Sequence, residues 1–574
     1  MALTIILCYL SLLVFLGVFA GRLLKKNSGD YFLASRGIGP FMLLMSIFGT
    51  TMTAFALIGS TGKTFQKGIG VYGLMASWSG IVHSIVFFLV GARVWALGKK
   101  HGYVTQLSFF RDRYRSNTLA LLLFPLMVAF VLLYLLMGVI GSGRVLEGLT
   151  AETFAMESHE TRIELEALPA DFAPPAPWKD RVRHDSETKE LVVTGSIAPK
   201  RRGAFLRFSN SPDWKPVVQR LFEDGKPPKG AVPYAWGMAL VCMVVLFYVF
   251  FGGMRATAWA NTAQTLVFMA MGVVAFIVIK NKLGGAAAAT GNLLVLGMDE
   301  AAKRLAREGL LERLQFLTYV FIPLSVGMFP HLFQHWLTAR RASSFKLTVV
   351  AHPLCILVTW LPCVLLGVWA AGVLPLNTPP NLVLPMMVSR YSSDVLSGLI
   401  GAGILAAIMS SMDSQFLCLG SLFTNDIVVH HFGEDRFSDR AKVFLGRGFV
   451  VFVVLLTYLI ALSNPRSVFD LGVWCFTGFA SLFPVLISAL YWRRSNAAGA
   501  IAAVLTVAIL WLTFLPRVLE GEEFLLFGMM PVTLLLAAST LAQVGVTLLT
   551  PPPDPALVEK FFGPAEPAGS ESAR

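Results

Sequence analysis

The chain has 574 residues, 55% of them hydrophobic and 14% charged, with a mean hydropathy of +0.67. That balance excludes an ordinary water-soluble globular domain, and the apolar residues fall in blocks about twenty long, the length that crosses a hydrocarbon core as helix. The formal charge of +13 comes mainly from Lys and Arg in short loops beside those blocks, where they orient helices during insertion; no nucleic-acid motif accompanies it, so the partner it implies is the lipid bilayer and not nucleic acid.

The first block, Leu3 to Gly21, carries Val18-Phe19-Ala20, which imitates a signal-peptide cleavage site. It lacks a basic leading region and is followed by Arg22, Lys25 and Lys26, so it reads as a retained helix with its N-terminus outside. In all, hydropathy predicts about thirteen spans, at roughly 4–22, 38–60, 72–97, 117–141, 233–252, 257–280, 316–336, 347–372, 396–424, 443–463, 467–491, 497–515 and 525–549. Inner connections then carry Arg22 to Arg36, Lys99 to Arg115, Arg340 to Lys346, Arg436 to Lys442, and Arg493 with Arg494. An odd number of spans puts the C-terminus in the cytoplasm, and the expected location is the cytoplasmic (inner) membrane.

One outer connection, 143–232, is long, charged and Pro-containing. Its Leu191-Val192-Val193 and Phe205-Leu206-Arg207-Phe208 stretches read as short strands of a small extracytoplasmic subdomain with room for a partner. A second outer segment, Asp299 to Leu314, reads as an amphipathic helix, with Leu305, Leu310, Leu311 and Leu314 opposed to Lys303, Arg304, Arg307 and Glu308. The Pro-rich tail, 551–574, reads as disordered. All six cysteines lie inside apolar blocks, so no disulfide framework is expected.

The second span is interrupted by Gly49-Thr50-Thr51-Met52-Thr53 and the seventh by Gly327-Met328-Phe329-Pro330-His331, each about eleven residues in. Matching interruptions five spans apart point to inverted repeats whose broken helices surround a site at the bilayer midplane. The densest polar cluster inside a span is Ser410-Ser411-Met412-Asp413-Ser414. Serines in a span commonly bond back to a carbonyl one turn earlier, but an ionisable residue there is costly and marks a cavity or an ion path, unless Asp413 sits close to the inner surface. Helical spacing puts Ser410, Asp413 and Ser414 on one stripe. Hydroxyls plus the free carbonyls of an unwound helix suit a hard monovalent cation such as Na⁺.

The run Ala406-Ala407-Ile408-Met409-Ser410-Ser411-Met412-Asp413-Ser414-Gln415, continuing to Asn425-Asp426-Ile427, resembles the sodium/solute symporter family of proline, pantothenate and glucose cotransporters. So do Tyr31 to Arg36, Gly252 to Trp259, and Pro330 to Gln334, in the family's order. The resemblance implies an all-α polytopic membrane protein, a LeuT-type 5+5 inverted repeat with an extra leading helix. It divides the chain into a leading helix and loop (1–37), repeat one (38–142 and 233–282, interrupted by the outer subdomain), an outer loop (283–315), repeat two (316–495), two peripheral helices (496–550) and the tail. It also implies Na⁺ as coupling ion, held by carbonyls of Gly49, Met52 and Ala407 and by the hydroxyls of Ser410 and Ser411.

Two departures bear on the substrate and the ions. Members of the family commonly carry an aspartate in the sixth span where this chain has Asn261, which puts coupling to more than one Na⁺ in doubt and leaves Asn261 and Asp413 as ion-path candidates. Sugar carriers have a polar contact where this chain has Phe55, Ala56 and Leu57, which disfavours a sugar. Substrate-binding candidates on the broken helices and the eleventh span are Phe55, His331, Gln334, His335, Trp474 and Thr477, although Phe55 and Trp474 also suit packing and His335 an interfacial anchor. The expected function is sodium-coupled symport of a small organic solute by alternating access, without enzyme chemistry. Proton coupling through Asp413 and a transporter-like solute sensor are the alternatives.

Overall fold

The computed structural model describes residues 1–22, 28–72, 78–150, 153–154, 160–164, 182–185, 190–194, 230–306, 311–463, 468–519 and 525–563. Among the described residues the fold is helical apart from a three-stranded antiparallel sheet in the segment 150–230, β1 (Glu160–Glu164), β2 (Val182–Asp185) and β3 (Glu190–Thr194), ordered β1-β3-β2. The strand expected at Leu191 to Val193 is thus present, whereas Phe205 to Phe208 lie outside the described residues. Among the described residues nine helices are long and apolar enough to cross a membrane, or eleven when each of two bent pairs counts as one span.

The bent pairs are Pro40–Thr51 with Phe55–Lys67, at 58°, and Arg313–Gly327 with Pro330–Leu337, at 51°. Both breaks fall where the sequence predicts interrupted spans, and they define the inverted-repeat bundle. Helices Asn117–Leu149, Tyr234–Lys282 and Asp394–Leu422 pack around the first broken helix, while Ala497–Leu519 and Pro531–Leu549 lie together at the periphery. The leading helix Ala2–Arg22 packs on Tyr234–Lys282 and Asp394–Leu422.

The 49-residue stretch Tyr234–Lys282 holds the two spans expected at 233–252 and 257–280, because Gly253 breaks it with φ 54° and ψ −158°. A Cβ there would meet Tyr31 at 2.6 Å on its ring and 2.8 Å on its carbonyl, so only glycine serves. Gly253→Ala is expected to destabilise the fold by about 1–3 kcal/mol of local strain. Thermal unfolding in detergent should show the midpoint fall; an unchanged midpoint would mean that the corner relaxes freely.

Three sequence expectations need correction. Helix Asn117–Leu149 does not stop at 141: Arg144 and Glu147, one turn apart, neutralise each other at 2.6 Å, and Val145, Leu146 and Leu149 are buried, so the connection expected from 143 opens at Thr150. The tail is not wholly disordered, because Pro555–Phe562 is a helix with Leu557 and Phe561 buried. The segment from Asp299 to Leu314 is not one amphipathic helix. Met298–Leu305 forms a short helix that buries Arg304, whose guanidinium meets Glu300 at 2.9 Å and the carbonyl of Phe65, while Leu305 and Leu314 are exposed. A cation that caps carbonyls outweighs the apolar stripe.

The basic loops predicted to share one side meet at one end of the bundle. Arg36 donates to the Tyr103 carbonyl at 2.8 Å, Arg111 to Asp426, and Arg113 to the carbonyls of Ala489, Trp492 and Ser495. The C-terminal helix lies at the same end, through Lys560 on Asp112.

Candidate functional site

The first break is made by a run of threonines. Thr51 turns its hydroxyl back to the Phe48 carbonyl at 2.9 Å, Met52 leaves the helix at φ −90° and ψ 104°, and the Thr53 hydroxyl oxygen caps the restart by accepting the Phe55 N–H at 3.0 Å. The last turn before the break presents carbonyls without helical partners. One of them, Gly49, accepts the Ser410 hydroxyl at 2.8 Å, and the same hydroxyl lies 2.9 Å from the Ala407 carbonyl. Two carbonyls therefore share a single hydroxyl hydrogen, a surplus of buried oxygen lone pairs that suits a cation. Glycine permits the approach, since a Cβ on Gly49 would fall 2.3 Å from the Thr265 hydroxyl and 3.6 Å from Ser410. Gly49, Ala407 and Ser410 are thus brought together. The Ser411 hydroxyl donates to the Ile408 carbonyl at 2.9 Å, one position along the same helix.

Beside this junction lies a buried polar network. Ser414 stands 2.9 Å from the Thr50 hydroxyl, 3.0 Å from His335 Nε2 and 3.1 Å from Asp413 Oδ1. The Asn261 amide donates to Thr50 at 3.1 Å and Ser414 at 3.0 Å, His335 Nδ1 meets Ser46 at 3.1 Å, and Tyr248 donates to Asp413 at 3.0 Å. Asp413 is fully buried. The network links the first broken helix to the second and to the Ser410 helix, so a movement of one is felt by all.

Beyond the break the walls are aromatic. Phe55 stacks on Phe469 at 5.0 Å and meets Phe476 edge-on at 5.0 Å, and Tyr134 touches Phe476, Phe329 and His331. His331 is fully buried, and among the described residues neither of its ring nitrogens has a hydrogen-bond partner. Lys63 lies 5.1 Å over Phe469 and 3.5 Å from Asp470. Phe55 and His331 therefore share one aromatic-lined region. Gln334 instead donates to the Phe32 carbonyl at 2.7 Å, Trp474 stacks on the peripheral Trp511 at 5.9 Å, Thr477 bonds back to Val473, and His335 belongs to the polar network. Sequence reasoning passed over Tyr134, Phe329, Phe469 and Phe476. A lone Tyr in the apolar span 117–141 was the available signal.

The profile of the sodium:solute symporter family matches residues 31–157 and 230–506. The chain belongs to that family. It is a multi-pass membrane transporter that couples solute movement to sodium, and Na⁺ is its coupling ion. It is 23% identical to sodium/proline symporter 2 of Staphylococcus saprophyticus, over 96% of this chain and 93% of that one. It is also 23% identical to the sodium/proline symporter of Staphylococcus aureus strain JH9, over 91% and 88%. Its fold matches the substrate-bound outward-open structure of a Na⁺-coupled sialic acid symporter, with a TM-score of 0.65, 14% identity, and coverage of 96% of this chain and 98% of that one. For this symporter, Asn261 places an amide beside Thr50 and Ser414, so the carboxylate nearest to that pair is Asp413, which meets Ser414 at 3.1 Å.

Proposed function

We propose that the protein carries a small organic solute into the cell by alternating access, with Na⁺ held between the broken second span and the Ser410 helix. The ion's ligands are the carbonyls of Gly49, Met52 and Ala407 and the hydroxyls of Ser410 and Ser411. The observation that carries this is the shared hydrogen at Gly49, Ser410 and Ala407. Na⁺ replaces that hydrogen as the bridge: the hydroxyl turns its lone pairs inward, and the ion draws the two helices together. Binding there sets the restart of the broken helix at Phe55, and so favours a competent solute site among Phe55, Tyr134 and His331. Aromatic walls with one imidazole fit a compact solute with few hydroxyls rather than a sugar, and because relatives are sodium/proline symporters, proline is the first solute to try. The N-terminus lies outside, and the end of the bundle that gathers the basic loops and the C-terminal helix faces the cytoplasm.

Purified protein in liposomes, given a panel of labelled amino acids, monocarboxylates and sugars, is expected to accumulate one class when Na⁺ is high outside, and not with K⁺ in its place. Accumulation driven equally well by a pH gradient without Na⁺ would transfer the coupling to the proton and to Asp413. Solute binding without accumulation would make the chain a sensor.

A further inference from the structure

The helix Pro555–Phe562 lies across the end of the bundle where the basic loops meet. Asp554 caps it, accepting the Ala556 N–H at 2.9 Å, and pairs with Arg115. Lys560 sets its ammonium 2.6 Å from both oxygens of Asp112. Phe561 is buried, its ring 5.4 Å from that of His101, and Phe562 lies under the guanidinium groups of Arg93, Arg113 and Arg493 at 5.8, 5.2 and 5.7 Å. One short helix thereby touches the inner end of span Trp78–His101, the loop helix Gln106–Tyr114 and the corner after Tyr491.

These pieces belong to two groups. Span Trp78–His101 is tied to the broken helices: Trp95 donates to the Ala339 carbonyl at 2.7 Å, and the inner ends of the two broken helices join where Ile38 N–H meets the Thr338 carbonyl at 3.1 Å and Arg340 N–H the Ile38 carbonyl at 2.9 Å. The loop helix touches the second broken helix through Gln106 on Met328 and Phe109 on Phe333, but its charged tie is to the helix that carries Ser410, where Arg111 donates to the Asp426 carbonyl at 3.1 Å and its carboxylate at 3.3 Å. A line of side chains crosses between the groups: Arg36 donates to the Tyr103 carbonyl at 2.8 Å, the Tyr103 hydroxyl donates to Asp112, and Lys560 closes on the same carboxylate. Burial alone would raise the Asp112 carboxyl, but its hydrogen bonds from Lys560 and Tyr103 outweigh that and hold it below the ordinary carboxylate range. The carboxylate is therefore charged at neutral pH, and on the acid side the contact is lost as the pH falls through that lowered value and the carboxylate takes up a proton.

We propose that the C-terminal helix is a strap that holds the inner face closed, through Lys560 on Asp112 and Phe562 under Arg93, and that it lifts before the broken helices part from the Ser410 helix. This rests on the alternating-access reading, since release to the cytoplasm requires the two groups to separate. The strap adds a brake of its own, because its ion pairs are partly exposed and weaken with salt, whereas the buried contacts beneath it do not.

The test uses the full chain in liposomes with spin labels at Arg341→Cys and His431→Cys, one in each group, in a Cys8→Ser background, and reads the distance between them by pulsed electron resonance without solute. Lys560→Glu, and separately a chain ending at Thr550, are expected to raise the long-distance population severalfold over the wild type. Asp112→Lys combined with Lys560→Glu restores opposite charges and is expected to return the population to its wild-type level. Wild-type distances in both the Lys560→Glu variant and the shortened chain would overturn the strap, as would a double variant that stays as open as Lys560→Glu alone. Because neither uptake nor a solute enters the measurement, failure of the transport reading in the liposome assay remains separate from failure of the strap.

Discussion

Ser410→Ala is expected to raise the Na⁺ concentration for half-maximal uptake at least tenfold, equivalent to about 1.4 kcal/mol or more of ion binding. The reason is geometric. The Ser410 oxygen is the only side-chain atom that stands within 2.9 Å of both the Gly49 and the Ala407 carbonyls among the described residues, so its loss leaves two carbonyls facing each other with nothing between them. An ion held by about five neutral oxygens has no spare ligand, and each one lost leaves it under-coordinated. Ser411→Ala should act in the same direction, since the proposed site needs its hydroxyl to turn from the Ile408 carbonyl, where it donates at 2.9 Å, toward the ion. By linkage, apparent solute affinity at fixed Na⁺ should fall in both variants and recover as Na⁺ is raised. Asp413→Asn keeps the hydroxyls in place and should retain Na⁺-driven uptake at a reduced rate, because its amide oxygen can still accept from Tyr248 while its NH2 can donate to the Ser414 hydroxyl oxygen. Wild-type Na⁺ dependence in both serine variants, together with loss of pH-driven uptake in Asp413→Asn, would remove the ion from this junction.

The sites that were legible in the sequence are those governed by local chemistry. Gly49 to Thr53 breaks a helix because of its own threonines and glycine, and the break was readable without knowing what packs on it. The corner at Gly253 showed only as the gap between the spans expected at 233–252 and 257–280. The junction between Gly49 and Ser410 joins residues 361 apart, and it was reached through the family resemblance, not through periodicity. The aromatic walls were missed for the same reason: Tyr134, Phe329 and Phe476 meet from three helices, and each alone looks like core packing. Composition misleads at two places: proline content hides the short tail helix although Asp554-Pro555 is a regular helix start, and the charges at Arg144 and Glu147 suggest a loop although they satisfy each other within one turn.

Gly49→Ala is expected to be the more damaging change, lowering Na⁺-driven uptake more than tenfold at any Na⁺ concentration. The added methyl would stand 2.3 Å from the Thr265 hydroxyl, which is itself held by donating to the Met45 carbonyl at 2.9 Å, so the threonine cannot turn away without giving up a buried hydrogen bond. The easier response is for the broken helix to back off. That withdraws the Gly49 carbonyl from Ser410 and also stretches Thr50 from Ser414 and Asn261. Unlike the loss of one hydroxyl, this displaces the carbonyl ligands at the break together, and more Na⁺ does not repair it. The cause is separable by a second substitution: Thr265→Ala removes the obstructing hydroxyl and should by itself be mild, since only one bond to a helical carbonyl disappears. Gly49→Ala with Thr265→Ala should then recover most of the uptake that Gly49→Ala loses, with coupling between the two positions in a double-mutant cycle. Simple additivity of the two losses would mean that the helix yields elsewhere, and that the close approach of Gly49 to Thr265 does not set the position of the ion site.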